Sequence, residues 1–240
     1  MTKADIKNII GEIRNELIKN SDEKCKQNYQ RFFKEKVKFY GVKSAQVGKT
    51  AKRYWDEIKS LPKRIIYEIC EMLLASDYCE EAFIVCDWLP KMSNQYKESD
   101  FNVFKKWISK YVNNWAKCDT FCNHTMGKFL ELYPHYISEL KKWNRSSNIW
   151  MKRASAVSLI IPAKNGKYLE DVFEISNNLL LDPSDMVQKG YGWLLKEASR
   201  KHQKEVLDFV IKNKKLMPRT SLRYAIELMP ANLKKIAMAK

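Results

Sequence analysis

The feature that most constrains the fold is the recurrence of apolar residues at helical spacing along almost the whole chain. Residues 3–19 are typical, because their isoleucines and leucine recur every three or four positions and would line one face of a helix. Glycine and proline number only seven each, too few to supply the turns of a protein made of many short strands. The pattern therefore predicts an all-α protein.

Helices are expected throughout the chain, separated by short turns, with prolines at or near many of the junctions. The second and more polar helix is expected to bury three aromatic residues, Tyr29, Phe32 and Phe33. The expected helices cover residues 3–19, 22–35, 44–59, 62–73, 77–89, 101–112, 120–132, 135–142, 147–161, 168–180, 184–199, 202–213, 219–228 and 231–239.

Many short amphipathic helices joined by short turns indicate helix pairs stacked into a superhelix, a solenoid of HEAT-like repeats. The spacing is near the roughly 40 residues of such hairpins, although the repeats are not alike in sequence. Stacked pairs curve and so provide a concave face. A globular helical bundle is the alternative. The length fits one domain that covers residues 1–240.

The charge of the chain is strongly unbalanced. Its 44 lysines and arginines against 28 acidic residues give a formal net charge of +16. A surplus of this size is typical of proteins that bind a polyanion, with nucleic acid as the first expectation. We therefore expect the concave face to be basic. A basic surface without a special role is the alternative.

Several features are expected to be absent. No segment approaches the roughly 18–20 apolar residues of a membrane span, and the first residues lack the layout of a signal peptide. The six cysteines show no Cys-x-x-Cys spacing and are expected as reduced core thiols of a cytoplasmic protein. Cys118, Cys122 and His124 lie close together but have no second ligand pair. We expect no metal, no cofactor and a monomer.

Trp193 lies outside the apolar face of the helix expected at residues 184–199 and shares the opposite face with three cations. It could pack against a neighbouring helix or under the lysine stems. It could also contact a sugar or base while the cations hold phosphates. The expected buried face consists of Val187, Gly190, Tyr191, Leu194 and Ala198, and the cations are Lys189, Lys196 and Arg200.

Trp115 and Asp119 are four residues apart and would share a helix face if one helix contained both. Either Trp115 belongs to the core and Asp119 caps a helix that begins at Thr120, or the carboxylate is partly desolvated beside the indole. Arg153 falls on the apolar side of its helix, near Val157. Because arginine is rarely buried without an anionic partner, we expect either an internal carboxylate or a phosphate there.

Three motifs, in order and with similar separations, resemble those of the DNA alkylation repair glycosylases of the AlkD-like family. They are Trp-x-x-x-Asp at 115–119, Trp150-Met-Lys-Arg153-Ala, and Met186-Val-Gln-Lys-Gly-Tyr-Gly-Trp193-Leu-Leu. The segments Phe39-Tyr40-Gly41-Val42 and Tyr54-Trp55 also fit, so the resemblance covers most of the chain. Ala-Lys-Cys between Trp115 and Asp119 differs from the Asp-Leu-Val often found in the family, which leaves the substrate range open.

The resemblance implies a HEAT-like solenoid whose concave face binds duplex DNA. It also implies excision of N3- and N7-alkylated purines such as 3-methyladenine and 7-methylguanine, with the base left stacked and an abasic site as product. By position, Asp119 would be the catalytic carboxylate, Trp115 and Trp193 would contact the deoxyribose and backbone, and Arg153 would contact a phosphate. The other expected DNA-binding cations are Lys152, Lys189, Lys196 and Arg200.

Such chemistry needs few groups. A cationic alkylpurine is a good leaving group, and breaking its glycosidic bond moves positive charge to the sugar. An ionised Asp119 would stabilise that charge and orient water, and the tryptophan faces would add smaller cation–π contributions. No lysine stands out as a Schiff-base nucleophile, so monofunctional action is expected. The alternatives are a non-catalytic nucleic-acid-binding repeat protein and a protein-binding helical scaffold.

Overall fold

The structure is a computed structural model that describes residues 2–239. These residues form helices joined by turns, and no strand occurs among them. The predicted all-α class is therefore confirmed. The chain divides into two compact units, one ending at Val103 and the other starting at Phe104. The expectation of a single domain stays a prediction.

Unit 1 contains five complete helices and the start of a sixth. In chain order they are α1 (Lys3–Lys19), α2 (Glu23–Gln30), α3 (Ser44–Ile58), α4 (Lys63–Leu74), α5 (Cys79–Lys91) and α6 (Asp100–Tyr111). α1 contacts α3 and α4, and α5 packs against the same two helices. The Thr2 side chain caps α1, as its hydroxyl accepts the backbone N–H of Asp5 at 3.2 Å.

The segment from Phe39 to Val42 is held by one buried carboxylate. Glu80 Oε1 accepts the backbone N–H groups of Gly41 at 2.9 Å and of Val42 at 3.1 Å. Gly41 has a φ of +91°, and a Cβ there would lie 2.4 Å from the carbonyl oxygen of Asp22. Only glycine fits this position, which explains the Gly in the motif that precedes α3.

α2 ends five residues earlier than the sequence predicts. The Gln30 side chain donates from Nε2 to the carbonyl of Glu35 at 2.7 Å and accepts the Val37 N–H at 3.0 Å. These bonds close a loop in place of the last helical turn. Phe32, in this loop, is 72% exposed, and Phe33 is half-buried. The prediction that this segment buries its three aromatic residues is therefore wrong.

Unit 2 contains the rest of α6 and ten further helices among the described residues. They are α7 (Trp115–Phe121), α8 (Gly127–Leu132), α9 (Ile137–Trp143), α10 (Ile149–Val157), α11 (Ile160–Lys164), α12 (Leu169–Asn178), α13 (Asp185–Ala198), α14 (Gln203–Asn213), α15 (Arg219–Ala225) and α16 (Ala231–Met238). α13 packs against α10, α11, α12, α14 and α15, and α10 also contacts α7 and α9.

Two predicted helices of unit 2 are divided. The helix expected at 120–132 begins at Trp115, and a π-helical turn over Cys122–Met126 separates α7 from α8. The helix expected at 147–161 divides into α10 and α11 near Ser158. Pro162 explains this break, because it has no N–H to donate to the carbonyl of Ser158 and its ring would clash there.

Candidate active site

α7 begins at Trp115 because Asn114 caps it. Asn114 Oδ1 accepts the backbone N–H of Lys117 at 3.0 Å. Trp115 and Asp119 lie one turn apart in this helix, and each is half-buried. Because Asp119 lies inside α7, the alternative that it caps a helix starting at Thr120 is wrong.

Asp119 forms an ion pair with Arg153 of α10. Arg153 Nε donates to Oδ1 at 2.7 Å and Nη2 donates to Oδ2 at 2.8 Å, so both carboxylate oxygens are engaged. The two side chains are only 14% and 6% exposed, respectively. Arg153 Nη1 also donates to the carbonyl of Met186 in α13. The guanidinium thus joins three helices, and of the two expected partners for Arg153 the structure shows the internal carboxylate.

Burial and the attraction between the two charges act in opposite directions on the pKa values of Asp119 and Arg153. Burial raises the pKa of the Asp119 carboxyl above its ordinary value, and the hydrogen bonds and charge of Arg153 act in the opposite direction. Burial acts to lower the pKa of Arg153, but the bonds and charge of Asp119 outweigh it, and that pKa ends above its ordinary value. The guanidinium therefore stays charged and favours the ionised form of the carboxyl.

Gly190 of α13 makes room for the arginine. A Cβ at this position would lie 3.2 Å from Arg153 Cγ and 3.7 Å from Nη1. Glycine inside a helix costs roughly 1 kcal/mol relative to alanine, so two glycines in one helix indicate that another group packs closely against its backbone. The Gly-Tyr-Gly sequence was therefore the one signal in the sequence for the contact between α13 and Arg153. Helical periodicity assigns Gly190 only to the buried face and does not predict its contact with Arg153. The carbonyl of Met186 was likewise not predicted as a partner.

The face predicted for α13 is confirmed. All five residues of the expected inner face are buried. Trp193 lies off that face and is partly exposed, and its Nε1 donates to Glu197 Oε1 at 3.4 Å. A partly exposed indole on the helix that carries Gly190 can contact a ligand without loss of core packing.

The expected DNA-binding cations are all engaged with carboxylates. Lys152 pairs with Asp182 at 2.7 Å, and both side chains are largely buried. The other three lie on or just beyond α13, in more exposed pairs. These are Lys189 with Asp185 at 3.4 Å, Lys196 with Glu227 at 3.3 Å, and Arg200 with Glu197 at 2.6 Å.

The exposed pairs do not prevent phosphate binding by these cations. Ion pairs at a protein surface contribute about 0–1 kcal/mol, so a phosphate can replace the carboxylate at little cost. Lys189 fits this description best, because it is 33% exposed and its partner Asp185 43%, whereas Lys196 itself is only 16% exposed and Glu197, the partner of Arg200, only 9%. Lys152 does not, since Asp182 is buried. Of the five expected cations, Arg200 and Lys189 are therefore the most exposed and Arg153 is the most deeply buried.

The cysteines lie mostly in the core. Five are buried, Cys25 is partly exposed, and all six are free thiols. Cys118 Sγ donates to the carbonyl of Trp150 at 3.7 Å, and burial raises the pKa of this thiol. Within residues 2–239, no group of three His, Cys, Asp or Glu side chains is placed to hold a metal ion. No helix in that range is long and apolar enough to cross a membrane.

Several solved structures resemble this one. A predicted DNA alkylation repair enzyme from Enterococcus faecalis has a TM-score of 0.78 at 13% identity, covering 88% of this chain and 98% of that one. AlkD2 from Streptococcus mutans has a TM-score of 0.58 at 20% identity, over 77% and 91%. The protein smu.31 from Streptococcus mutans UA159 gives 0.57 at 20%, over 79% and 92%. The chain thus has the helical-repeat fold that these proteins share, as the sequence predicted.

The sequence itself identifies the family. The profile of the family described as DNA alkylation repair enzyme matches residues 13–229. The chain belongs to this family, which confirms the resemblance found in its motifs and supports a role in DNA alkylation repair. No match was found among the curated proteins.

Proposed function

We propose that this protein is a DNA glycosylase that removes cationic N3- and N7-alkylated purines, such as 3-methyladenine and 7-methylguanine, from duplex DNA. The observation that supports this best is the Asp119 carboxylate, which Arg153 holds through both oxygens. A carboxylate fixed in this way is preorganised for a cationic transition state. Trp115 lies one turn before it on α7, a spacing that places both residues on the same side of the helix.

The reaction is a hydrolysis at the anomeric carbon of the damaged nucleotide. The C1′–N bond breaks and its electron pair returns to the purine, which cancels the positive charge that alkylation created. The sugar becomes oxocarbenium-like, and Asp119 stabilises it by charge. Water then bonds to C1′ and gives up a proton, leaving a free alkylpurine and an abasic site. The base stays stacked, and no strand cleavage follows.

Arg153 acts mainly on Asp119 in this scheme. It favours the ionised carboxyl and fixes its orientation, which both aid the stabilisation of a cation. Three of its five N–H donors are engaged by Asp119 and the Met186 carbonyl, which leaves two for a phosphate oxygen. The direct phosphate contacts are assigned chiefly to Lys189, Lys196 and Arg200.

The second candidate is a repeat protein that binds nucleic acid without catalysis. The ion pair itself favours this candidate, since a carboxylate neutralised by a guanidinium exerts a weaker field on a cation than a lone carboxylate. The basic charge of +16 fits either function. Catalysis must therefore be tested directly.

The test is release of methylated purine from duplex DNA treated with a simple methylating agent, with the wild type beside Asp119→Asn. Removing one preorganised charged group costs about 10²–10³ in rate, so the variant should excise slowly while it binds duplex normally. Thermal unfolding of both proteins controls for loss of the ion pair. Salt-sensitive binding without release by the wild type would establish the non-catalytic binder. Equal release by both would transfer the catalytic role to another residue.

A further inference from the structure

The helix that carries Trp115 and Asp119 continues beyond α7. Its backbone passes through the π-helical turn Cys122–Met126 directly into α8. Turns of this kind close i→i+5 hydrogen bonds, occur singly inside α-helices and are frequent at functional sites. This one also packs against α10, the helix of Arg153. The π-helical turn therefore adjoins the elements that hold the Asp119–Arg153 pair.

Asn123 lies in this turn, four residues after Asp119, which itself lies four residues after Trp115. Residues at this spacing share one side of a helix, with Cβ atoms roughly 5–6 Å apart. Asn123 is only 9% exposed, and its Oδ1 has no hydrogen-bond partner in the part of the chain that the structure describes. Asn123 thus adds a buried polar atom to the side of the helix that carries Trp115 and Asp119.

An amide oxygen in this state calls for a ligand. A buried polar atom without a hydrogen bond destabilises a fold, and a leucine of similar size would avoid that loss. Because a carbonyl oxygen only accepts hydrogen bonds, the ligand that suits Asn123 Oδ1 is a donor such as water.

Asp119 can share such a water with Asn123. Arg153 donates one hydrogen bond to each oxygen of the carboxylate, and each oxygen can accept a second. Two acceptors that each lie about 2.8 Å from one water are about 4.5 Å apart at a tetrahedral angle. Side chains with Cβ atoms roughly 5–6 Å apart can reach this separation.

We propose that Asn123 positions the water that attacks C1′, an inference that rests on the proposed function. The water donates one O–H to Asp119 and the other to Asn123 Oδ1, which directs an oxygen lone pair towards the anomeric carbon. As the C1′–N bond breaks, its electron pair leaves with the purine and the water oxygen bonds to C1′. The proton facing Asp119 passes to that carboxylate and then to solvent, whereas the amide takes no proton.

The first test is single-turnover excision from methylated duplex by the wild type and by Asn123→Leu. Loss of one hydrogen bond to the attacking water should lower the rate about tenfold, with duplex binding unchanged. The melting temperature should rise by about 2 °C or more, because the unpartnered amide is removed. An asparagine with a merely structural role would instead lose rate and stability together. Asn123→Ala adds no volume and should show the same loss of rate.

The product of the reaction tests the role of the water directly. With methanol in the buffer, the sugar cation can bond to methanol, which leaves a methyl glycoside at C1′ in place of the hydroxyl. A positioned water should give the wild type a smaller methyl glycoside fraction than spontaneous depurination of the same DNA. In Asn123→Leu and Asn123→Ala this fraction should rise towards the spontaneous value, as measured by mass spectrometry of the strand.

The matched control is Thr125→Val in the same turn. Thr125 is fully buried, and its Oγ1 likewise has no partner within residues 2–239. It follows Asp119 by six residues and so lies on a different side of the helix. The substitution removes one unpartnered polar atom, as Asn123→Leu does, but should leave the excision rate and the methyl glycoside fraction at their wild-type values.

An unchanged excision rate, or an unchanged methyl glycoside fraction, in both Asn123 variants would overturn the inference and leave the glycosylase assignment intact. An equal effect of Thr125→Val would also overturn it. No purine release by the wild type would refute the proposed function and this inference with it. The two failures are distinguishable, because the first is observed only with an active wild type.

Discussion

The ion pair of Asp119 and Arg153 makes a quantitative prediction. Arg153→Met removes the guanidinium and leaves a carboxylate that is only 14% exposed without its partner. Breaking a buried pair from one side costs about 3–5 kcal/mol, and the low exposure of both side chains means that solvent screening reduces this little. For a chain of this size, that corresponds to a fall in melting temperature of roughly 6–20 °C.

The double variant should behave differently. Asp119→Leu combined with Arg153→Met removes both charges and fills the site with apolar side chains. Replacing a buried pair in this way is often neutral or stabilising, so most of the lost stability should return. Urea unfolding of the wild type, both single variants and the double variant at pH 7 gives the coupling energy directly.

The pH dependence of the stability lost in Arg153→Met tests the same ion pair independently. Without Arg153, burial raises the Asp119 pKa further above that of the unfolded chain, so the folded state binds the proton more readily. The defect of Arg153→Met should therefore be largest at neutral pH and shrink as pH falls through that pKa. Lys59→Met, which breaks an exposed pair with Asp56, should show no comparable defect at any pH. A coupling energy near zero would refute the buried pair.

Three further predictions concern activity and binding. The excision rate should fall as the pH drops through the pKa of Asp119, which lies above the ordinary value of 3.8, because only the ionised carboxyl stabilises the sugar cation. In a single-turnover pH profile, Asp119→Asn should not show this fall at low pH. Gly190→Ala should lower the excision rate several-fold, because the added Cβ would displace Arg153 and with it Asp119. Gly192→Ala should instead lower the melting temperature, since its Cβ would lie 2.9 Å from a backbone oxygen of α15. Lys196→Glu with Arg200→Glu should weaken binding to damaged and undamaged duplex alike in a salt titration.

Each of these has a contradicting outcome. A flat pH profile for the wild type would remove Asp119 from the rate-determining step. Full excision by Gly190→Ala would show that Arg153 tolerates displacement. Unchanged duplex binding after the double charge reversal would mean that the outer face of α13 is not the DNA face.

The sequence was most reliable where short-range rules apply. The inner face of α13 and the outward position of Trp193 follow from helical periodicity, because the 3.6-residue turn alone determines which side chains share a face. The same rules failed where a side chain competed with the backbone. α2 ends at Gln30 because the Gln30 side-chain amide forms hydrogen bonds with the backbone of Glu35 and Val37. These bonds form only once the chain has folded back to bring residues 35–37 beside Gln30, and helical periodicity does not predict that.

The sequence by itself determined the all-α class, the family and the set of candidate site residues. These follow from local periodicity, from the scarcity of glycine and proline, and from motifs in a fixed order. Only the tertiary structure decided that Arg153 binds Asp119, 34 residues away, and that Gly190 makes room for it. The physical reason is that a bidentate pair requires the packing of α7, α10 and α13 to bring its atoms to 2.7 and 2.8 Å, and spacing along the chain does not encode those distances.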